Sequence, residues 1–470
     1  MTEDQLLDYS DYPRVRQDLR DRVLKAVQEA PPAANEQFTL RITNPRFKGP
    51  EHVSLKDQKK ALIGGRTISD KLVGNYELVD NASGKVVGKT NQKLLMNVPY
   101  LTDRGTYIRN GVEYSVAKQF RLVPGVYTRV TDDGNVESQF NAKPRTGPSF
   151  RTYMEPKTGY FYMRYKGRKV PLYPVLRAMG MQHEQLEKNW GKEIAEANKK
   201  LERSPYAVNF LKQFRPQREE VKEELMQALG QQKQAAEPDY DPEARQNLLD
   251  EFARTELSPR VTLRTLGREY DRVTPEALLT ATRKILDVNR GKAETDSRDS
   301  LAFQDVYDIS DFLSDKIKND QGGAMRKVLW KLTGRGQDMK KIPASLLDQH
   351  VNHLFTASGV AQAVEEINPS DMYDQTMRVS RLGEGALPSI DMAPKESRNV
   401  QPSYFGYVDP VIAPESLRIG LDMRLARNVR RGKDRQLYTQ LISAKTGKPE
   451  WVGVRQATDM NNGFPEALQI

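Results

Sequence analysis

The side chains able to do chemistry in this chain are mostly cationic. It has no cysteine, which excludes thiol nucleophiles, disulfides and CxxC metal sites. Of its four histidines, His350 and His353 lie three apart on an expected helix. That spacing could hold the edge of a metal site, but no carboxylate motif accompanies it, and ordinary helix surface fits better. Gly64-Gly65-Arg66 is too short for a phosphate loop, and no G-x-x-x-x-G-K-[ST] occurs. Arg424, Arg427, Arg430, Arg431, Lys433 and Arg435 form a basic run, either a grip on nucleic-acid phosphates or a solvated face. Lys166, Arg168 and Lys169 at an expected turn stand between the same two readings. Tyr160, Phe161, Tyr162 and Tyr165 could stack bases, although such alternation fits the packing face of a sheet better. No catalytic residue and no metal ligand is assigned within the chain.

The 470 residues allow two to four domains. With 29% charged and 37% hydrophobic residues, and a mean hydropathy of -0.71, the composition implies thin domains or a subunit whose missing core comes from partners. The 73 Lys+Arg against 63 Asp+Glu leave +10 and a pI near 9.3, a surplus that suits a polyanionic partner. No stretch approaches the ~20 apolar residues of a membrane span. The acidic start, Met1-Thr2-Glu3-Asp4, is unlike a signal peptide, so no membrane is expected and the cytoplasm is the expected location.

The elements that would position these groups follow from periodicity and punctuation. Residues 13–30 read as an amphipathic helix ended by Pro31-Pro32. From Gln37 to about Val136 the pattern is β-rich. Thr106, Tyr107 and Ile108, then Asn110-Gly111 and Val112 to Val116, spell a hairpin with a type I′ turn. A second hairpin with aromatic alternation opens at Phe150, and a helix from about Val170 stops at Gly180. Residues 184–290 are helix-prone, with a flexible insertion expected at 231–242, and helices are expected at about 305–336 and 344–357.

The order of residues in the first hairpin is more specific than its shape. Pro99, Thr102, Gly105, Thr106, Asn110, Gly111, Glu113, Gln119, Pro124, Gly125 and Val126 stand in register with a "P-x-M-T-x-x-G-T-F-x-I-N-G-x-E-x-V-x-x-S-Q-x-x-R-S-P-G-V" signature. The stretch thereby resembles the N-terminal half of the β subunit of multisubunit DNA-dependent RNA polymerases. Pro156-Lys157, Arg168-Lys169, Pro171, Leu176-Arg177-Ala178 and Gly180 continue the likeness, as do Asp296, Asp299 and Leu301. It resumes at Gln362, Glu365, Asn368-Pro369, Arg378, Ser380, Leu382-Gly383, Arg398, Phe405-Gly406, Pro414-Glu415 and Ile419-Gly420-Leu421.

The resemblance implies an α+β multidomain fold: a protrusion (1–149 and 298–361) with an inserted lobe (150–297), followed by a fork and RNA-channel region (362–470). It implies that Gln362, Arg378 and Ser380 face the RNA backbone and that Glu415 sits in the fork, with Arg418, Lys166, Arg168, Lys169, Arg430 and Arg431 as further nucleic-acid contacts. Gln362, Glu365, Arg378, Ser380, Leu382 and Pro414 would be the equivalents of the rifamycin pocket.

Departures from the family pattern are concentrated near that pocket. Gln375-Thr376-Met377 replaces His-Lys-Arg, Glu384-Gly385-Ala386 replaces Pro-Gly-Gly, and Ser416-Leu417-Arg418 replaces Gly-Pro-Asn. Two basic residues beside the RNA are lost, and Arg418 would restore one. No Asp-x-Asp-x-Asp loop occurs. The family's catalytic Mg2+ is therefore expected on a β′-like partner, and the lysines that grip the RNA 3′ region beyond Ile470. The implied role is that of a split, phage-type β subunit of a nucleotidyltransferase, working in the host cytoplasm or packaged in a virion. It would assemble with a C-terminal β-like subunit, β′-like subunits, a promoter-specificity factor, the DNA template and nascent RNA. The alternative is a virion structural or scaffold protein that keeps this fold without transcription.

Overall fold

The β-rich stretch after Gln37 folds, in the computed structural model, into an antiparallel sheet of Ala33–Ala34, Phe38–Lys48, Ser69–Asp80, Val86–Lys89 and Lys93–Pro99. The described residues are 2–49, 52–215, 242–320, 323–334, 338–365, 368–412, 414 and 417–463. All of the expected insertion at 231–242 except its last residue lies outside them. The chain divides into two units, one of Met1–Arg121 with Asp299–Ile470, the other of Leu122–Arg298.

In the first unit, helix Tyr12–Gln28 starts where the Asp11 side chain accepts from the Arg14 amide and Pro13 presets the first turn. Its Leu19, Val23, Ala26 and Val27 meet Leu40, Leu72, Tyr76 and Leu95 of the sheet in one core. Burying each of the leucines and valines among them contributes about 1.5–3 kcal/mol. The helix expected over 305–336 is instead strand Gln304–Tyr307, helix Ile309–Lys318 and helix Ala324–Thr333. Asp308 caps the first helix by accepting from the Ser310 and Asp311 amides, and Gly323, at φ +65°, starts the second outside helical geometry. The hairpin of Tyr107–Arg109 and Val112–Val116 forms as its residues require, with Asn110 at φ 50° and Gly111 at φ 76°. A second sheet joins Gln304–Tyr307, Lys118–Leu122, Arg378–Ser380 and Asp422–Arg424 in that order. The segments on either side of the expected division at 361/362 belong to the same unit.

The second unit is a five-stranded antiparallel meander, Gly125–Val130, Val136–Asn141, Phe150–Met154, Phe161–Tyr165 and Arg168–Pro171, with helices against one face. Its first two strands pair with each other and the second of them also with Phe150–Met154, so this sheet begins ahead of the expected start at 150. Phe140 stacks on Phe150 at 4.6 Å, and the buried Trp190 donates from its indole Nε1 to Thr282 Oγ1 at 2.8 Å. Asp296, matched in the sequence, accepts from the Thr128 amide at 2.8 Å and from Lys284 Nζ at 2.7 Å, closing the unit's end onto its first strand.

His350 departs from the surface expected for it. Only 3% exposed on helix Asp348–Thr356, it leaves Nε2 without a hydrogen-bond partner. Burial, and then the Lys316 charge, depress it from 6.5 to about 4. Folding thus favours the neutral ring, whose contribution is complete above pH 6.5 and lost as pH falls through about 4. Acidification across that window is expected to cost the first unit about 3 kcal/mol. In His350→Phe that part of the slope disappears from urea melts taken at a series of pH values; a parallel slope in both proteins refutes the assignment.

Candidate functional site

The central strand of the second sheet, Arg378–Ser380, is where the sequence-matched residues converge. It runs parallel to Lys118–Leu122 and antiparallel to Asp422–Arg424, so the hairpin segment and the two later segments are fixed to one another by backbone bonds. Beside it opens a groove of about 800 Å³. Its lining includes Gln362, Arg378, Ser380, Leu382, Glu384, Arg418 and Asp422. Of the expected contacts, Gln362, Arg378, Ser380, Leu382 and Arg418 are therefore brought together. Glu365 is exposed and Pro414 half-buried, and neither is among the lining residues. Glu415 lies outside the described residues.

Arg378 is nearly buried, donating to Gln362 Oε1 and, at 3.4 Å, to the Val360 carbonyl. Burial pushes its guanidinium down from the usual arginine range, and its Nε has no partner. Ser380 Oγ donates to Asp422 and accepts from the Leu382 amide at 3.1 Å, so its hydroxyl is already used. Arg418 Nη1 reaches the same Asp422 at 3.1 Å. The cation that would restore a lost phosphate contact is thus half-neutralised by a carboxylate four residues on. Gln375 turns its amide to the Glu365 carbonyl at 2.9 Å, while Thr376 and Met377 are buried. Where the resemblance places His-Lys-Arg, this chain has helix packing.

Several residues that hold the groove were given no role by the sequence. Gln119 Nε2 donates to the Leu382 carbonyl at 2.8 Å, and Arg121 donates to the Glu384 carbonyl at 2.9 Å while lying 4.2 Å over the Tyr307 ring. Lys316 pairs with Glu384 at 2.7 Å and donates to His353 Nδ1 at 3.0 Å. Arg381 is buried against Asp299 and Tyr404, donating to the Asp299 carbonyl at 3.0 Å. Arg398 clamps the Leu417 and Ile419 carbonyls. Gln119, Asp299 and Arg398 all stand in the matched motifs, and that register is the only signal that marked them.

The basic run after Leu421 is largely an internal network, not a phosphate-binding face. Arg431 is 1% exposed, bound to Asp311 and, at 3.1 Å, to Asp308, with Nε on the Val306 carbonyl at 3.0 Å. Arg435 meets Asp311 at 3.0 Å, Arg424 meets Asp374 at 2.7 Å, and Arg430 pairs with Glu3 over the Trp451 ring. Arg427 and Lys433 are the exposed members. In the second unit, Lys166 pairs with Glu251 at 2.8 Å and Lys169 with Glu155 at 3.3 Å, while Arg168 is exposed.

Among the described residues no group of three or more His, Cys, Asp or Glu side chains is arranged to hold a metal ion. None of their helices is long and apolar enough to cross a membrane. The groove presents hydrogen-bond donors and acceptors, with cationic and anionic side chains, beside the second sheet.

Comparison with known proteins gives this geometry a context. Residues 123–306 match the family model of RNA polymerase Rpb2, domain 2, and residues 362–430 that of RNA polymerase Rpb2, domain 3. The first stretch includes nearly all of the second unit, and the second begins at Gln362. The DNA-directed RNA polymerase subunit beta of Prochlorococcus marinus (strain MIT 9312) is 23% identical over 424 residues, covering 86% of this chain and 37% of that protein. The same subunit from Prochlorococcus marinus (strain MIT 9303) is 25% identical over 407 residues, covering 82% and 35%. That from Synechococcus sp. (strain RCC307) is 25% identical over 403 residues, covering 82% and 35%. The chain thus spans little more than a third of the length of these curated relatives.

Proposed function

Because this chain belongs to the RNA polymerase β (Rpb2) family, we propose that its groove forms part of the wall along which a multisubunit DNA-directed RNA polymerase guides nascent RNA. The unit of Leu122–Arg298 would be the lobe, and the other unit the protrusion with the fork region. The observation carrying this reading is the convergence of Gln362, Arg378, Ser380, Leu382 and Arg418 on one groove, within and beside the stretch that matches domain 3. The chain would contribute position and electrostatics, not catalytic groups. Mg2+ would be held by a β′-like partner, and DNA template, RNA, the remaining β-like sequence and a specificity factor would complete the enzyme. The loss of basic side chains at Gln375 to Met377 suits a divergent, phage-encoded enzyme.

Reconstitution tests it. The chain is co-expressed with the β-like and β′-like reading frames of its own genome, and nucleotide incorporation on a DNA template is measured. Equimolar co-purification with incorporation is expected. A chain that purifies alone or in a capsid fraction, without incorporation, establishes the structural-protein alternative instead. The active assembly is further expected to keep transcribing at rifampicin concentrations that stop an ordinary bacterial polymerase, because Thr376 and Met377 are withdrawn into the core and Glu384 is held by Lys316. Inhibition at those ordinary concentrations overturns that account of the pocket.

A further inference from the structure

A recess of about 390 Å³ opens in the first unit and shares no lining residue with the groove. Its walls come from the start of strand Ser69–Asp80, the end of strand Lys93–Pro99, the hairpin strand Tyr107–Arg109 and helix Asp348–Thr356. Sites that take small molecules occupy about 300–1,000 Å³, and this one falls inside that range. Part of the wall is apolar: Ile108 and Val351 are buried and Phe355 is half-buried.

The polar part of the wall is one-sided. Asp348 accepts twice from Asn97, through the backbone amide at 2.6 Å and the side-chain Nδ2 at 2.7 Å. A carboxylate only accepts, so Asn97 must turn its nitrogen that way, and its oxygen takes the Ser69 hydroxyl at 3.4 Å. A guanidinium only donates, so Asn352 must present its oxygen to Arg109. The Thr67 hydroxyl accepts from the Asn110 backbone amide and gives its proton to the Asn110 side-chain oxygen, both at 3.0 Å. Every carboxylate and side-chain amide oxygen on this wall is therefore engaged. The donors are not. Among the described residues, Lys71 Nζ and the Nδ2 atoms of Asn110 and Asn352 make no hydrogen bond, and no carboxylate pairs with Lys71 or Arg109.

We propose that this recess binds a small organic anion. Its phosphate or carboxylate is held by Lys71 and the Asn110 and Asn352 amide nitrogens, and its apolar body lies on Ile108, Val351 and Phe355. An oxyanion satisfies unused donors with charge-assisted hydrogen bonds, whereas a cationic ligand finds no free carboxylate or amide oxygen here. Arg109 adds charge from a fixed place, since it also donates to the Val351 carbonyl at 3.4 Å and lies 5.3 Å over the Phe355 ring. A nucleic-acid backbone would use the charges and leave the apolar wall empty. The proposal goes beyond the polymerase reading and does not rest on it, because recess and groove have no residue in common.

The full-length chain is titrated with phenyl phosphate and with benzoate, which share a ring and differ in the anion, by saturation-transfer NMR. Inorganic phosphate and a short single-stranded oligonucleotide serve as competitors. At least one ringed probe is expected to bind saturably, and the tighter of the two identifies the preferred anion. Lys71→Met should weaken binding about tenfold, the loss typical of a hydrogen bond to a charged group. Asn352→Asp is the sharper arm. It keeps an oxygen for Arg109 but replaces the free donor with an acceptor, so the wall is retained while binding falls by more than about tenfold. Both positions are exposed, so folding is not at stake, and Lys85→Met, an exposed lysine outside the recess, should bind as the parent does. The proposal is overturned if neither ringed probe binds at millimolar concentration, or if Asn352→Asp binds as the parent does. Inorganic phosphate matching the ringed probes overturns it too, as does displacement of the probe by the oligonucleotide, which assigns the donors to a nucleic-acid backbone. None of these arms reads nucleotide incorporation, so failure here leaves the polymerase reading standing.

Discussion

Arg431→Met is expected to lower the unfolding free energy of the first unit by about 3–5 kcal/mol, the cost of stripping a buried charge cluster of its counter-ion. Arg431 has no solvent-exposed side-chain surface and holds both Asp308 and Asp311. Burial works against its charge, but the two aspartates outweigh that and hold it above the usual arginine range. The pair responds oppositely. Burial and the charge of Asp308 raise Asp311, whereas Asp308 is lowered because Arg431 and Arg22 overcome the burial penalty. Methionine fills much of the volume and supplies no charge, so Arg22 and Arg435, at 3.2 and 3.0 Å from Asp311, are left to neutralise two carboxylates. Urea unfolding followed through Trp451, whose ring lies 4.7 Å from the Arg430 guanidinium, reads the local transition. Adding Asp308→Asn and Asp311→Asn should recover part of the loss, because the uncompensated charge then goes too. A residue serving only phosphates behaves differently: its removal leaves stability unchanged and reduces the salt dependence of nucleic-acid binding. That second pattern would falsify the structural role.

The fate of this arginine shows where residue order stops informing. A run of six basic residues within twelve positions looks solvated, because sequence shows neither which side chains alternate inward on a strand nor which acids wait there. The acids lie more than a hundred residues away, at the start of helix Ile309–Lys318. The burial of His350 is hidden for the same reason: its helix packs into a core built by elements distant in sequence. Local punctuation, by contrast, was legible. Asn110-Gly111 dictates a hairpin through its own backbone preferences, and Asp11 with Pro13 starts a helix without help from the rest of the chain.

The groove was legible in a different way. Gln362, Arg378, Ser380 and Leu382 were found by resemblance, which carries the outcome of tertiary packing without exposing its cause. The cause is the second sheet, whose parallel pairing of Val379 with Lys118 no periodicity announces. Motif register likewise marked Gln119 and Asp299 without saying what they do. One steadies the Leu382 carbonyl and the other anchors Arg381. The aromatic stretch fell between these cases. Alternation announced a strand with a packing face, and Phe161 and Tyr165 take it, while Tyr162 and Arg164 face the other way.

Gly383→Ala is expected to cost about 3–4 kcal/mol and to close the groove, a larger effect than left-handed backbone alone produces. Gly383 sits at φ +107°, and a Cβ there would lie 2.7 Å from the Ser358 carbonyl oxygen and 3.1 Å from Gln119 Nε2. Backbone cannot step aside as a flexible side chain can. The turn it occupies is doubly tied, by its own amide to the Leu387 carbonyl at 2.9 Å and by Gln119 to the Leu382 carbonyl. Displacing it moves Leu382 and Glu384 on the groove wall, and with Glu384 the Lys316 pair. Two reference substitutions separate strain from collision. Gly447→Ala carries a left-handed φ of +65° with open space around the new methyl, so it should cost about 1 kcal/mol. Gly385→Ala, at φ +87°, has the guanidinium of Arg121 as its nearest neighbour, the end of a flexible side chain, and should fall between the two. Urea melts give the order, and nucleotide incorporation by the reconstituted assembly gives the consequence: strongly reduced for Gly383→Ala and preserved for Gly447→Ala. If Gly383→Ala were no worse than Gly447→Ala in both measurements, the turn would not be what holds the groove open.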